Sequence, residues 1–474
     1  MTATFGTPAD PGNVPNVTAT RDRAAAHPIA PTRGAPDPIA EQTQRRGTTT
    51  GGLADTEYRA TVTDDAGSVG TSQGSPRSPA APPAPPAPRF ASQLRPGPLS
   101  GLLVADFSRV LAGPYATMLL ADLGAEVIKV ESPAGDDTRA WIPPDREGVS
   151  TYYLAINRNK RSVALDLADP TDRARAHALS AQADILVENF KPGGLQRFAL
   201  DYPAVRARNE RVIYCSISGF GSAGGAHIPG YDLMVQAISG LMSLTGDADG
   251  PPYRAGISIF DVMAGMHALV GILAALHHRD LTGQGQQVEA SLLATAMSAM
   301  VNQTSAWVAG GTVPHRMGNA HPSVFPYEPI PTLDGDLIVT AGNDPQFRKL
   351  CTVLGAAELA RDERFASNGA RVANRGILKP ILTDLFSSRS ALEWFDLLTE
   401  AGVPSGPINS VAAGVAFAER VGLEPVVRVG SGDDAVPGVR HPLSFSATPP
   451  RYDLPPPTLD QHGDQIRAWL DGDA

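Results

Sequence analysis

From Leu99 onward, short apolar runs alternate with longer segments in which apolar residues recur every three to four positions. Residues 101–106 (GLLVAD) have the near-continuous apolar character of a strand covered on both faces. Gly113-Pro114 opens a helix that Gly124 stops, and 125–130 (AEVIKV) is the next strand. The alternation continues with a strand at 162–167, a helix at 170–183, a strand at 184–190, a helix at 195–208 and a strand at 211–218. It predicts an α/β fold built on a doubly wound parallel sheet. Beyond residue 218 the pattern changes to long apolar helices at 231–244, 262–279 and 288–308. The stretch 262–276 carries no charged residue, which predicts burial on every side, in part by a second subunit. From about residue 325 a smaller α+β unit begins, with a turn and strand at DGDLIVTAG and helices near 345–355, 370–387 and 390–401. The expected domains are a large α/β domain over 96–317, a small α+β domain over 318–426, and a C-terminal segment, 427–474, packing back on the large domain. Residues 1–95 have no helical or strand period and contain the run APPAPPAP. They read as a disordered Pro/Ala-rich extension.

Charge and cysteine content narrow the function classes. A net charge of −10 and a pI near 5.5 disfavour nucleic-acid binding and basic-patch adhesion to membranes. Two cysteines, Cys215 and Cys351, make no disulfide framework, and no C-x-x-C or H-E-x-x-H string supports a metal site. The first thirty residues contain no apolar core of a secretory signal. The longest charge-free apolar stretch is about five residues short of a bilayer span. These features predict a soluble cytoplasmic protein.

Three features carry candidate chemistry. Gly219-Phe-Gly-Ser-Ala-Gly224 is formally G-x-G-x-x-G after a strand, yet Gly225, Pro229 and Gly230 postpone the helix that a dinucleotide pyrophosphate would need. A glycine-rich active-site loop fits better. Asp261 stands between ISIF, read as a strand, and the charge-free helix; the position suits either a helix N-cap or a nucleophilic carboxylate. Asp232 has a similar place at the head of a helix. His315, Arg316 and His321 crowd a segment around Gly318 that could be a solvated linker or a clasp for an anionic substrate.

These strings together resemble the class III coenzyme A transferases (CaiB/BaiF type), the family that includes formyl-CoA and carnitine-CoA transferases. The likeness rests on GLLVADFSRVLAGPYATMLLADLGAEVIKVE, DDTRAW, NRNKRSVALDL, DILVENFKPGGLQRF, GYDLMVQAISGLMSLTG and FDVMAGMHALVGILAAL, and runs from about residue 97 to the C-terminus. The resemblance implies a Rossmann-like large domain, a small domain and an interlocked homodimer. It implies Asp261 as the catalytic nucleophile and CoA contacts at Leu165, Asn189, Phe190, Arg197 and Tyr231. No cofactor would be held permanently, because CoA and its thioesters are substrates, with small carboxylic acids as the other reactants. The family's glycine loop corresponds to Gly318 and Asn319. Ser132, Leu111 and the string GNAHPS depart from the formyl-CoA branch, which makes formate and oxalate poor expectations. The GNAHP form resembles instead members acting on dicarboxylyl donors such as succinyl-CoA, with Arg316 pairing the free carboxylate. The alternatives are a 2-methylacyl-CoA racemase on the same fold and a non-catalytic CoA-binding protein. Against the racemase, Tyr231 stands where that branch has histidine, and a phenol with a pKa near ~10 is a poor base at neutral pH.

Overall fold

The computed structural model describes residues 96–472, so the extension expected over 1–95 lies outside the described residues. Six strands form the main sheet: β1 (Leu103–Asp106), β2 (Glu126–Glu131), β3 (Lys160–Ala164), β4 (Ile185–Glu188), β5 (Ile213–Ser218) and β6 (Gln287–Ser291). Their order in space is β3-β2-β1-β4-β5-β6, and every pairing is parallel. The parallel sheet expected from the β/α alternation is present. Its order reverses at β1, with β2 and β3 on one side and β4 to β6 on the other. Such a reversal opens a crevice at the carboxyl ends of the two central strands.

Both faces of the sheet are covered. On one lie α1 (Ala112–Asp122) and a later helix, α6 (Ile259–Thr282), packed on Val104, Val127, Ile185, Val187, Ile213 and Cys215. On the other lie α3 (Pro170–Gln182) and α4 (Tyr202–Arg208), with Leu103, Ala105, Ile128, Leu186 and Tyr214 facing them. The remaining helices that frame the crevice are α2 (Thr151–Ile156) and α5 (Asp232–Ile238). Helices α1 and α6 meet at Gly265, where a Cβ would come within 2.6 Å of the Ala112 carbonyl oxygen. No larger residue fits that crossing without displacing backbone.

Several expectations need correction. The segment 288–308 begins as strand β6, not helix, and then forms α7 (Leu292–Ala299) and α8 (Val301–Val308). QVEAS is an exposed edge strand, so its polar alternation obscured it within an otherwise helical stretch. The ISIF run is not a strand, because α6 already starts at Ile259. The 195–208 helix is interrupted by Ala199, at φ +53°, and 231–244 breaks at Gly240, at φ +94°. Helix α6 has 24 residues, long and apolar enough to cross a bilayer by length and composition alone. In the fold it is a core helix with one open side. Phe260, Ala264, Ala268 and Ile272 are buried, whereas Met266, Val270 and Leu273 are exposed, so a single chain does not bury it on every side.

The smaller unit pairs β7 (Tyr327–Pro331), β8 (Asp336–Thr340) and β9 (Ser405–Pro407) antiparallel, in the order β9-β8-β7. Pro329 and Pro331 hid β7, because proline is depleted in strands and confined to edges such as this one. Phe325, Leu337, Phe347, Phe365 and Trp394 make its separate core. The C-terminal segment runs along the outer edge of β3. There Asp460 accepts from the Ala164 N–H at 2.8 Å, and Ser162 exchanges bonds with the His462 ring and main chain.

Candidate active site

The crevice at the strand reversal contains a cavity of about 290 Å³. Its lining includes the turn after β1, residues 109–112, and the neighbouring turn after β4, residues 189–192. The loop after β5 closes a third side. There Gly219 and Gly230 approach so nearly that a Cβ on either would lie 2.5 Å from the other's Cα. This loop delays α5 until Asp232, so no helix N-terminus follows Gly224 directly. Tyr231 and Asp261 complete the lining.

Asp261 is the third residue of α6, inside the helix and not its cap. Capping comes from a distance. Asp232, at the head of α5, accepts the N–H groups of Phe260 at 2.7 Å and Asp261 at 3.1 Å through Oδ1, while Gln236 donates to its Oδ2. The two aspartates that the sequence could not rank therefore divide the work. Asp232 satisfies orphan amides of the helix, and the Asp261 side chain is left without a hydrogen bond or ion pair among the described residues. Burial, reinforced by the Asp232 charge, pushes the Asp261 carboxyl up to about 7. Desolvation thus outweighs the helix dipole, which would favour ionisation. Tyr152, on α2, feels the same charge. Its hydroxyl is pushed up to about 12 by burial and by Asp261, and it hydrogen-bonds with Ser258.

Beneath the β1 turn lies a second set of buried charges, all paired. Lys160 Nζ is 3.1 Å from Asp106, Lys129 Nζ is 2.8 Å from Asp136, and Arg139 is 2.7 Å from Glu131. Burial alone would raise the Asp106 carboxyl, but Lys160 and Lys129, with the Ser108 and Thr117 hydroxyls, hold it below the usual carboxylate range. Asp136 is held low in the same way, burial being outweighed by Lys129 and the Thr138 bonds.

The structure brings Asn189, Phe190, Tyr231 and Asp261 into one cavity. Leu165 has its side chain in the core at 2% exposure, so only its main chain is available to a ligand. Arg197 lies exposed beyond the β4 turn, its guanidinium 4.5 Å from the Phe198 ring centre. Gly318 and Asn319 line a different cavity, with Glu328 and Lys379. Arg316 donates to the Asp247 carbonyl, and His321 meets the Tyr327 ring edge-on, with centroids 5.2 Å apart. Within one chain these residues are not gathered around Asp261. Sequence reasoning missed Tyr152 and the capping role of Asp232. Their contacts join segments far apart in the chain, so only the D/F-D pairing of two helix heads hinted at them. No group of three or more His, Cys, Asp or Glu among the described residues could hold a metal ion.

A parallel sheet reversing over a half-buried carboxylate that has no side-chain partner among the described residues defines an α/β protein with an acid-bearing crevice. The chain belongs to CoA-transferase family III, whose model matches residues 99–463. It is 45% identical over 392 residues to a succinate–glutarate CoA-transferase of Agrobacterium fabrum, covering 80% of this chain and 96% of that one. It is 39% identical over 375 residues to an acetyl-CoA:oxalate CoA-transferase of Acetobacter aceti, covering 78% and 95%. Among solved structures it resembles a CAIB/BAIF family protein from Brucella suis, with a TM-score of 0.72 at 43% identity over 80% of this chain and all of that one. The chain is thus a class III CoA-transferase.

Proposed function

We propose that this CoA-transferase takes CoA from a dicarboxylyl donor such as succinyl-CoA and passes it to a second carboxylic acid, with Asp261 as the nucleophile. The observation that carries the assignment is the Asp261 carboxylate itself, half-buried in the crevice with no hydrogen-bond or ion-pair partner among the described residues. An Asp261 oxygen attacks the thioester carbonyl, the C–S bond breaks, and an aspartyl–acyl anhydride and CoA thiolate remain. The thiolate attacks the Asp261 carbonyl, releasing the donor as its free acid and leaving an aspartyl–CoA thioester. The acceptor carboxylate then attacks that thioester, again expelling thiolate, which takes the acceptor's acyl group and frees Asp261. Activation is conserved at every step, so no nucleotide is consumed. Burial keeps water from the anhydride.

The pantetheine arm is assigned to the side of the cavity bearing Phe190 and Tyr231, and Arg197 to the nucleotide phosphates. The succinate–glutarate relative favours dicarboxylates. A relative named for oxalate keeps that acid in the panel of acceptors to be tried. We assign the open side of α6, with Ile238 and Trp307 also exposed at 57% and 59%, to a second copy in an interlocked dimer. That copy would bring its own Gly318–His321 segment to the crevice. The cytoplasmic assignment rests on sequence alone.

The test is transfer from succinyl-CoA to glutarate, followed by mass spectrometry. Asp261→Asn is expected to lower the rate by ~10⁴ or more, and hydroxylamine is expected to mark the Asp261 peptide only in the wild type. Transfer at the wild-type rate by a folded Asp261→Asn protein would reject the nucleophile. Sedimentation of a monomer at micromolar concentration would reject the dimer.

A further inference from the structure

Val110 has φ +68°. Left-handed backbone is uncommon outside glycine and an outlier for a β-branched side chain. Such outliers persist only where their surroundings impose them, and they concentrate at functional sites. Val110 and Asp261 line the same cavity.

What imposes the conformation is a set of side chains from other elements. Asn189 accepts the Arg109 N–H at 2.9 Å through Oδ1 and donates to the Arg109 carbonyl at 2.6 Å through Nδ2. Both carboxylate oxygens of Asp136 lie 3.3 Å from the Val110 nitrogen. Lys129 donates to the Ser108 carbonyl at 3.1 Å and to Asp136 at 2.8 Å. Consecutive main-chain groups of the turn are therefore held by side chains and not by a helix or a strand ladder. Asn189 has both ends of its amide committed to Arg109.

We propose that Asn189 is a positioning residue. It acts with Asp136 to lock the 108–110 turn in its left-handed form, and so fixes part of the lining of the cavity that also holds the nucleophile, instead of offering its side chain to CoA. This rests on Asp261 being the nucleophile, and it alters the role that family resemblance gives Asn189. A CoA ligand would affect binding; a positioning residue affects turnover, because small displacements of reacting groups are costly to rate.

The experiment measures three things on the full chain: steady-state transfer from succinyl-CoA to glutarate, calorimetric affinity for CoA, and hydrogen exchange of the 107–112 peptide. Asn189→Ala is expected to lower kcat ~10–100-fold, to leave the Kd for CoA within about threefold, and to speed exchange in that peptide. Asn189→Asp, which keeps only the acceptor, should fall between. Glycine takes left-handed backbone without penalty. In a Val110→Gly background the further cost of Asn189→Ala should therefore shrink, the signature of coupled positions. A rise in the Kd for CoA with kcat unchanged would make Asn189 a direct ligand and overturn the proposal. Unchanged exchange, or an undiminished cost in the glycine background, would overturn it as well. The exchange result stands whether or not Asp261 proves to be the nucleophile, so failure of one assignment does not disguise failure of the other.

Discussion

Two kinds of buried carboxylate sit close together in this molecule. Asp106, Asp136 and Glu131 lie under the β1 turn, each beside a lysine or arginine, with hydroxyls filling further lone pairs. Asp261 lines the cavity that the turn borders, with no ion-pair partner among the described residues and an acidic neighbour. Burial acts on all four in the same direction. The sign of the net shift is decided by the partners. Paired carboxylates are frozen as anions and hold backbone in place; the unpaired one stands near its midpoint at neutral pH, where both forms are present. Charge partners decide here which carboxylate is held as an anion and which is free to exchange its proton.

The contrast can be broken at several points. The largest expected effect is the ~10⁴-fold rate loss of Asp261→Asn already described, which no substitution in the paired set should match while the protein stays folded. Next, Asp106→Asn leaves Lys160 buried without its anion. It should cost about 3–5 kcal/mol of stability, measured by denaturant unfolding at pH 7. Third, Asp261→Asn should be more stable than the wild type at pH 8 by ~2–4 kcal/mol. The folded carboxyl titrates near 7 and the unfolded one near 3.8. The folded state therefore holds the extra proton between those values, and wild-type stability falls as pH rises through that window. Below about pH 4 the difference should vanish. Equal stability of the two proteins at pH 8 would contradict the desolvation argument.

Smaller still is the pH dependence of turnover. In the proposed mechanism only ionised Asp261 attacks, so kcat/KM should drop about tenfold per pH unit below about 7. Glu188, pushed up to about 7 by burial against bonds from Ser216 and the Phe190 N–H, titrates in the same range. Glu188→Gln should therefore be run in parallel, and the acid limb should survive it. Last, Thr117→Val removes the hydroxyl that donates to Asp106 at 2.6 Å and should cost ~1–3 kcal/mol.

Much of this was legible in the chain. Strands β1 to β5 announce themselves as apolar runs between helical stretches, because a parallel sheet covered on both faces tolerates few polar residues. Strand β6 escaped because it lies at the open edge, where Gln287 and Glu289 are solvent-exposed. Asp261 was visible as an acid beside a charge-free helix, but not as an uncapped one. That distinction depends on Asp232, 29 residues earlier, whose carboxylate reaches across to α6. The left-handed Val110 left no mark at all. Nothing about R-V-L requires φ +68°, which is imposed by Asn189 and Asp136 from elsewhere in the chain.

The segment laced along β3 has a practical corollary. Asp460 and His462 occupy the amide and carbonyl groups that an outermost strand would otherwise present to another molecule. A protein cut short before residue 458 would bare that rim as a template for intermolecular pairing. Proteolytic clipping of the tail should thus show itself as precipitation before any loss of catalytic groups.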